Sequence, residues 1–405
     1  MKRIFFVDDD VNILRALERM LWRFRHDWEC RFIGNAREAL DMLATERPDV
    51  LVSDMRMPGI DGAELLSESL SRHPSMARFI LSGEVGHSAL LRILGVAHQC
   101  IGKPCKAEVL TGLLARTFRL QERFKSVGLR EGVHRLAALP VLPRLHEALR
   151  EAVVHAKADE REARMLDVFE RTPGMASTVL QVATWTRLDS GSEIASLREA
   201  VQSLGSELVM AIASSDALRP LADPQITAFQ ERVWRECEGA SLLAGAIARA
   251  EQCSDDEVGE ATVAALLSCA GALLLDATCR DEYASLRSDA GMRSVGLPDL
   301  ERQHFGVTQT EAAACLFELW GLSGRIVNLV ACSEQPNAMP TDRLGPAGAA
   351  HMAMALMRSR DGLALPARSL EYLDRLGLVD RLPVWENLAA ETGSECRHQN
   401  RPRGD

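Results

Sequence analysis

This chain of 405 residues has no CxxC pair, no uncharged run long enough to cross a bilayer and no surplus of basic residues. Each absence closes off a class of function. Its cysteines stand at 30, 100, 105, 237, 253, 269, 279, 315, 332 and 396, at spacings that match no zinc pattern. Most lie inside apolar helical runs and read as reduced thiols acting as small hydrophobes, which fits a cytoplasmic protein. The most apolar passage, Ala261 to Leu275, runs for fifteen uncharged residues. A bilayer crossing needs about twenty, so a buried helix in a soluble protein is expected there. The start, MKRIFFVDDD, turns acidic too early for a secretory leader. A formal net charge of −10 argues against a general nucleic-acid surface, because neutralising phosphates takes clustered Lys and Arg. No basic recognition helix follows residue 120.

What is present divides in two. Residues 2–118 alternate short apolar runs with amphipathic segments. The strand candidates are RIFFVD (3–8), ECRFIG (29–34), DVLVSD (49–54), ARFILSG (77–83) and QCIG (99–102). Between them Ile13, Leu14, Leu17, Met20, Leu21 and Phe24 share one helical face, and Asn35 is placed to cap a helix with Glu38 as its reciprocal partner. This alternation predicts an α/β doubly wound, five-stranded parallel sheet. After Pro104 a helical stretch runs from Lys106 to Ser126, with Leu110, Leu113, Thr117, Leu120, Phe124 and Val127 at a/d spacing. Two readings stand: packing on the sheet followed by an amphipathic linker, or a homodimer seam through the 106–127 helix. From Leu136 the strand patterns vanish, and helical patterns continue to about Ala390. The expected division is 1–120, a helical linker at 121–135, an all-α unit at 136–391 and a disordered tail at 392–405.

The acids of the first unit fall at strand ends. Asp8, Asp9 and Asp10 end the first strand and Asp54 the third, Ser82 ends the fourth, and Lys103 follows the fifth. Ligands of open α/β sheets bind at those ends, so the carboxylates, a hydroxyl and an ammonium converge on one rim. Clustered carboxylates repel unless a cation offsets them, and Mg²⁺ suits an all-oxygen site. A carboxylate there can attack a phosphoryl group to give an aspartyl-phosphate. FVDDD, LVSDMRMPGIDG, ILSG and IGKP together resemble the receiver domain of two-component response regulators over about residues 1–120. The resemblance implies that Asp54 accepts a phosphoryl group from a sensor histidine kinase. It implies a metal held by Asp8, Asp9, Asp54 and the Arg56 carbonyl, with Asp9 the more direct ligand of the acidic pair. Ser82 and Lys103 would sense the phosphoryl group, and Lys103–Pro104 would be a cis peptide. One position departs from the pattern: where receivers place a switching Tyr or Phe, this chain has Cys100. Arg56 and Glu84 are expected either to pair across the pocket mouth, hindering attacking water, or to be two solvated side chains.

The helical half has a resemblance of its own. LPVLPRLHEAL (139–149), RTPGMASTVLQVA (171–183), IASLREAVQSLG (194–205), VWREC (233–237), AALLSCAGALLL (264–275) and FGVTQTEAAACLFELWGL (305–322) occur in a fixed order. Together they resemble the HD-related output (HDOD) domain, which is related to metal-dependent HD phosphohydrolases. A working HD site needs imidazole and carboxylate ligands to hold a metal and activate water. By motif, those positions fall at Glu236, Ser268, Cys269 and Gln309, and a following His pair at Ser333 and Glu334. The ligand set is missing, so no metal or other cofactor is expected in this half. His134, His146, His155, His304 and His351 read as partly buried structural residues.

The expected protein is a cytoplasmic two-component response regulator and not an enzyme. Phosphorylation at Asp54 would switch a catalytically inactive HD-related domain that acts by contacting a downstream signalling protein, with no nucleic acid and no membrane as partner. The alternative is a receiver-controlled HD-type phosphohydrolase or cyclic-dinucleotide phosphodiesterase.

Overall fold

The computed structural model describes residues 1–83, 86–139, 141, 158–187, 193–194, 196–215, 218, 224–293, 296–339, 341–359 and 365–399. Five strands, β1 (Lys2–Val7), β2 (Trp28–Ile33), β3 (Val50–Asp54), β4 (Ala77–Ser82) and β5 (Gln99–Gly102), pair in parallel in the order β2-β1-β3-β4-β5. All the sequence-predicted strands are present within a residue or two. The inner strands β1, β3 and β4 are apolar runs because helices cover both faces of the sheet, and Phe5, Phe6, Leu51, Phe79 and Ile80 are fully buried. Those helices are α1 (Val11–Leu21), α2 (Ala36–Leu43), α3 (Gly62–Arg72), α4 (His87–Ile93) and α5 (Ala107–Arg123). Local capping fixes where they begin. Asn35 Oδ1 accepts from Glu38 N at 2.9 Å, and Asn35 Nδ2 donates to the Glu38 carboxylate at 3.2 Å.

The stretch after Pro104 settles as α5, which ends at Arg123, and α6 (Val127–Gly132). Leu110, Leu113, Thr117, Leu120 and Phe124 of the proposed seam are at most 3% exposed within the chain itself, whereas Val127 is 57% exposed. The seam is therefore filled intramolecularly, which removes the ground for a dimer through this helix. The linker is helical as expected, but it is not a free spacer. Lys125 N donates to Phe305 O at 2.8 Å, and Gly128 and Gly132 lie against Cys279 and Thr278.

Every described element beyond residue 136 is helical. In order they are α7 (Ala158–Phe169), α8 (Pro173–Thr186), α9 (Leu197–Ala213), α10 (Pro224–Ala250), α11 (Asp255–Ser268) and α12 (Ala270–Arg293). They continue with α13 (Leu297–Phe305), α14 (Gln309–Leu319), α15 (Gly324–Cys332), α16 (Pro346–Ser359), α17 (Ala367–Leu376) and α18 (Leu382–Gln399). Helix α18 continues past Thr392 to Gln399, so the chain is still helical where a disordered tail was expected to begin. One apolar core runs from the sheet through to Val330, and a second joins α10 and α11 to α16, α17 and α18.

The most apolar passage is two helices rather than one, with Cys269 capping α11 before α12 begins. By length and composition the α11–α12 run could cross a membrane, but 94% of its apolar window is buried inside the protein. Gly271, in the first turn of α12, allows the close approach of α14: a Cβ there would lie 1.7 Å from Gln309 O. Gly259 on α11 has open space around it. Gly271→Ala is thus expected to destabilise the fold by about 1–3 kcal/mol through forced overpacking. Gly259→Ala should be neutral or stabilising by up to about 1 kcal/mol through helix propensity. Urea midpoints of the two variants measure the contrast.

Candidate functional site

The first constellation forms at the carboxyl ends of β1, β3 and β5. Asp8 and Asp54 are buried, 2% and 8% exposed, and two such carboxylates would repel. Lys103 answers this: its ammonium donates to Asp8 Oδ2 at 2.6 Å and to the Asp54 carboxylate. Burial by itself lowers the Lys103 pKa, but the bonds and charges of Asp54 and Asp8 outweigh it and hold the ammonium protonated. The Arg56 N–H donates to Asp54 Oδ2 at 2.7 Å, and Asp10 N donates to Asp8 Oδ1 at 2.9 Å. Asp9 stays exposed at the mouth. Ser82 is buried at the end of β4, where its carbonyl accepts from Lys103 N at 2.8 Å, and the Lys103–Pro104 peptide is cis. Ser82, Lys103, Asp8 and Asp54 thus lie together at one rim of the sheet. Glu84 lies outside the described residues, so only Arg56, exposed, can be placed of that pair. Cys100 sits in the core of β5, 4% exposed, with burial pushing its thiol up to about 12. It fills space where a receiver would turn an aromatic ring.

Among the described residues no group of three or more His, Cys, Asp or Glu is set to hold a metal, and in the aspartate pocket Lys103 bonds two of the acids. The donor set itself, three carboxylates and a backbone carbonyl, is all oxygen and fits a hard cation such as Mg²⁺.

The second constellation lies where α10, α11, α12, α13, α14, α15 and α16 meet. Ser268 Oγ donates to Ala264 O at 2.5 Å and meets Ser333 Oγ at 2.7 Å. Gln309 N donates to Glu301 Oε2 at 2.8 Å, and Tyr283 OH donates to Gln309 Oε1 at 3.2 Å. Thr310 Oγ1 donates to Glu334 Oε2 at 2.9 Å, and Arg358 donates to Glu334 Oε1 at 3.2 Å. Cys269 lies near the Arg358 guanidinium, and Glu236 is exposed beside the buried Cys237. A serine pair, an amide and an arginine–glutamate pair thus stand together, each held by its own hydrogen bonds.

The comparisons with known proteins agree in their division of the chain. The model of the response regulator receiver domain matches residues 4–115, and that of the HDOD domain matches residues 139–336. The chain is a response regulator with a receiver domain followed by an HDOD domain. Residues of the regulator are 42% identical over 79 positions to the DNA-binding transcriptional regulator NtrC of Escherichia coli K12, a match covering 20% of this chain and 16% of NtrC. The regulator therefore spans a small part of the curated relatives it matches first. Among solved structures, a signal receiver domain of an HD domain-containing protein from Pseudomonas fluorescens Pf-5 is 24% identical. That match covers 30% of this chain and 97% of that one, with a TM-score of 0.29. A virulence factor from Campylobacter jejuni is 15% identical, covering 69% of this chain and 99% of that one, with a TM-score of 0.49.

In the regulator the two domains touch at the far ends of the strands that carry the sensors. Gln99, at the start of β5, donates to Leu319 O at 2.8 Å, and Gln181 of α8 donates to His98 O at 3.0 Å. Gly321 adopts φ +78°, and a Cβ there would collide with Gln99. The buried Arg78, at the start of β4, donates to His134 O at 2.9 Å. His98 Nδ1 accepts from Arg78 N, so its Nε2–H donates to His134 O at 3.0 Å. Burial first, then the Arg78 charge, keeps His98 neutral.

Sequence reasoning missed Glu301, Tyr283 and Arg358 in the HDOD centre and the whole contact at His98, Gln99 and Arg78. A single acid in an amphipathic helix and one arginine closing an apolar helix carry no motif. His134 and His351 are buried structural residues, and burial lowers the His351 pKa to about 4. His304 is instead exposed and faces Glu282 at 2.9 Å, while His146 and His155 lie outside the described residues. Cys279 and Cys315 are core thiols, and Cys269 and Cys332 are half-buried.

Glu301 gives a test of the centre. Burial, then the nearby Glu334 charge, raises its pKa from 4.5 to about 8. The folded state therefore binds this proton more tightly than the unfolded chain does. Its stabilising effect is complete below pH 4.5 and is lost as pH rises through about 8. Glu301→Gln should gain stability relative to wild type as pH rises across that window, by about 1 kcal/mol per pH unit. Denaturant titrations at several pH values measure this; a difference that does not change with pH counts against it.

Proposed function

We propose that this regulator is a cytoplasmic phosphorylation switch whose HDOD domain is a protein-binding output without catalytic activity. A sensor histidine kinase is the donor and Asp54 the acceptor. Asp8, Asp9, Asp54 and the Arg56 carbonyl would hold Mg²⁺, which when bound offsets the charge of an incoming phosphoryl group. Lys103 holds its proton and pairs with the phosphoryl oxygens, and Ser82 donates a hydrogen bond to them. The observation that carries the switch is placement. Ser82 and Lys103 close the carboxyl ends of β4 and β5, and Arg78, His98 and Gln99 at the other ends grip the linker and the HDOD helices. A shift of β4 and β5 toward a phosphoryl group changes both ends at once, so the two receiver states differ in their contacts with the HDOD domain. Cys100 cannot report through a ring swing, which leaves strand displacement as the route.

Amide hydrogen exchange tests this. With Mg²⁺ and beryllofluoride as phosphoryl mimic, protection should change at His98–Gln99, in α8 and at Glu318–Gly321 in the wild type. Asp54→Ala should show none of it. Identical exchange in wild type with and without the mimic sinks the switch.

The absence of catalysis in the output rests on Ser268, Cys269 and Gln309 standing where metal-dependent relatives need ligands, with Arg358 holding Glu334. After incubation with Mn²⁺, Fe²⁺ or Zn²⁺ and desalting, the protein should retain no stoichiometric transition metal and should not turn over cyclic dinucleotides or phosphomonoesters. Retained metal with turnover would establish the phosphohydrolase instead.

A further inference from the structure

Two cysteines of the HDOD domain that sequence spacing leaves unrelated are brought together by the fold. Helices α10 and α11 form an antiparallel hairpin closed by residues 251–254. Cys237 stands about as far before Ala250, the end of α10, as Cys269 stands beyond Asp255, the start of α11. Equal rise per residue in the two helices puts them at the same height across the hairpin. Across the hairpin a Cβ at Gly245 would lie 2.8 Å from Thr262 Oγ1, and Cys237 and Cys269 stand eight residues before and seven beyond that pair, in the same core. Cys237 is fully buried, and Cys269, at the C-cap of α11, is partly exposed with its Sγ 3.9 Å from Ala265 O.

We propose that Cys237 and Cys269 form a reversible redox site, closed to a disulfide by a peroxide-class oxidant. The exposed member reacts first. The Cys269 thiolate attacks one peroxide oxygen, the O–O bond breaks, and the departing hydroxide takes a proton to become water, leaving a sulfenic acid on Cys269. The Cys237 sulfur then attacks the Cys269 sulfur. The S–O bond breaks, and the Cys237 proton leaves with the hydroxide as a second water. Two thiols are oxidised and one peroxide is reduced, and an external dithiol reverses the bond by exchange. Burial holds the Cys237 thiol well above its ordinary pKa, which fits it to resolve and not to be hit first.

The location gives the bond a consequence. Cys269 is the junction of α11 and α12, and α12 carries Thr278 and Cys279 against Gly132 and Gly128 of the linker helix. Ser126, which caps that linker helix, meets Cys279 Sγ at 3.3 Å. Tying the junction to α10 thus constrains the segment that leads back to the receiver, an input separate from Asp54. The site does not depend on the phosphorylation switch.

The full chain, treated with hydrogen peroxide, alkylated and digested without reductant, should yield a Cys237–Cys269 linked peptide. It should be lighter by about 2 Da, the loss of two hydrogens, and be released by dithiothreitol. Dimedone should trap the sulfenic acid at Cys269 in Cys237→Ser, and Cys237 should stay unlabelled in Cys269→Ser. Both thiols remaining alkylatable in peroxide-treated, denatured wild type would overturn the proposal, as would dimedone on Cys237. The wild-type digest decides the matter even if a variant fails to fold.

Discussion

One ammonium group holds the receiver pocket together. Asp8 and Asp54 come from different strands and are both withdrawn from water, so their mutual repulsion would oppose the close approach of β1 and β3. Lys103, delivered by the turn after β5, donates to both and turns that repulsion into attraction. A surface ion pair would contribute little, but here the groups are largely shielded from solvent, and removing the cation would leave two uncompensated carboxylates. The same contact ties the end of β5 to the ends of β1 and β3. The position of β5 is therefore coupled to the charge in the pocket, and β5 is the strand whose opposite end holds the HDOD domain.

The HDOD centre faces a similar problem. Polar groups in an apolar interior each cost free energy unless they find partners. Here Ser268 meets Ser333, Tyr283 donates to Gln309, and Arg358 covers Glu334. Glu301 is left with a raised pKa and one oxygen without a partner, Oε1. The centre is a set of hydrogen-bonded side chains with one oxygen of Glu301 left over, and it fastens α11, α14, α15 and α16 together.

Much of this was legible in the chain. The five strands, the doubly wound sheet and the gathering of Asp8, Asp54, Ser82 and Lys103 follow from strand-end acids at fixed positions, because a parallel sheet brings all its carboxyl ends to one rim. The HDOD domain was legible through ordered motifs along the helical half. For the apolar face from Leu110 to Val127 the chain left two readings open, and the structure favours packing within the chain. An a/d pattern records that one helical face is apolar, not whether a second copy or the same chain covers it. Residues 392–399 of the expected tail are helical for a related reason: polar composition argues against a core-forming helix, yet α18 carries Trp385 and Ala389 into the second core and continues to Gln399, while 400–405 lie outside the described residues.

The sequence by itself determined the two domain types and which strand-end residues meet in the receiver pocket, since these depend on residue types at spacings set by local periodicity. Only the tertiary structure decided what α5 packs against, where the receiver grips its partner domain, and that the α10–α11 hairpin sets Cys237 level with Cys269. Those contacts join residues far apart in the chain, Gln99 with Leu319 and Arg78 with His134. Their partners are mostly backbone carbonyls, which every residue possesses. Such contacts leave no mark on side-chain pattern, so only the path of the folded chain could specify them.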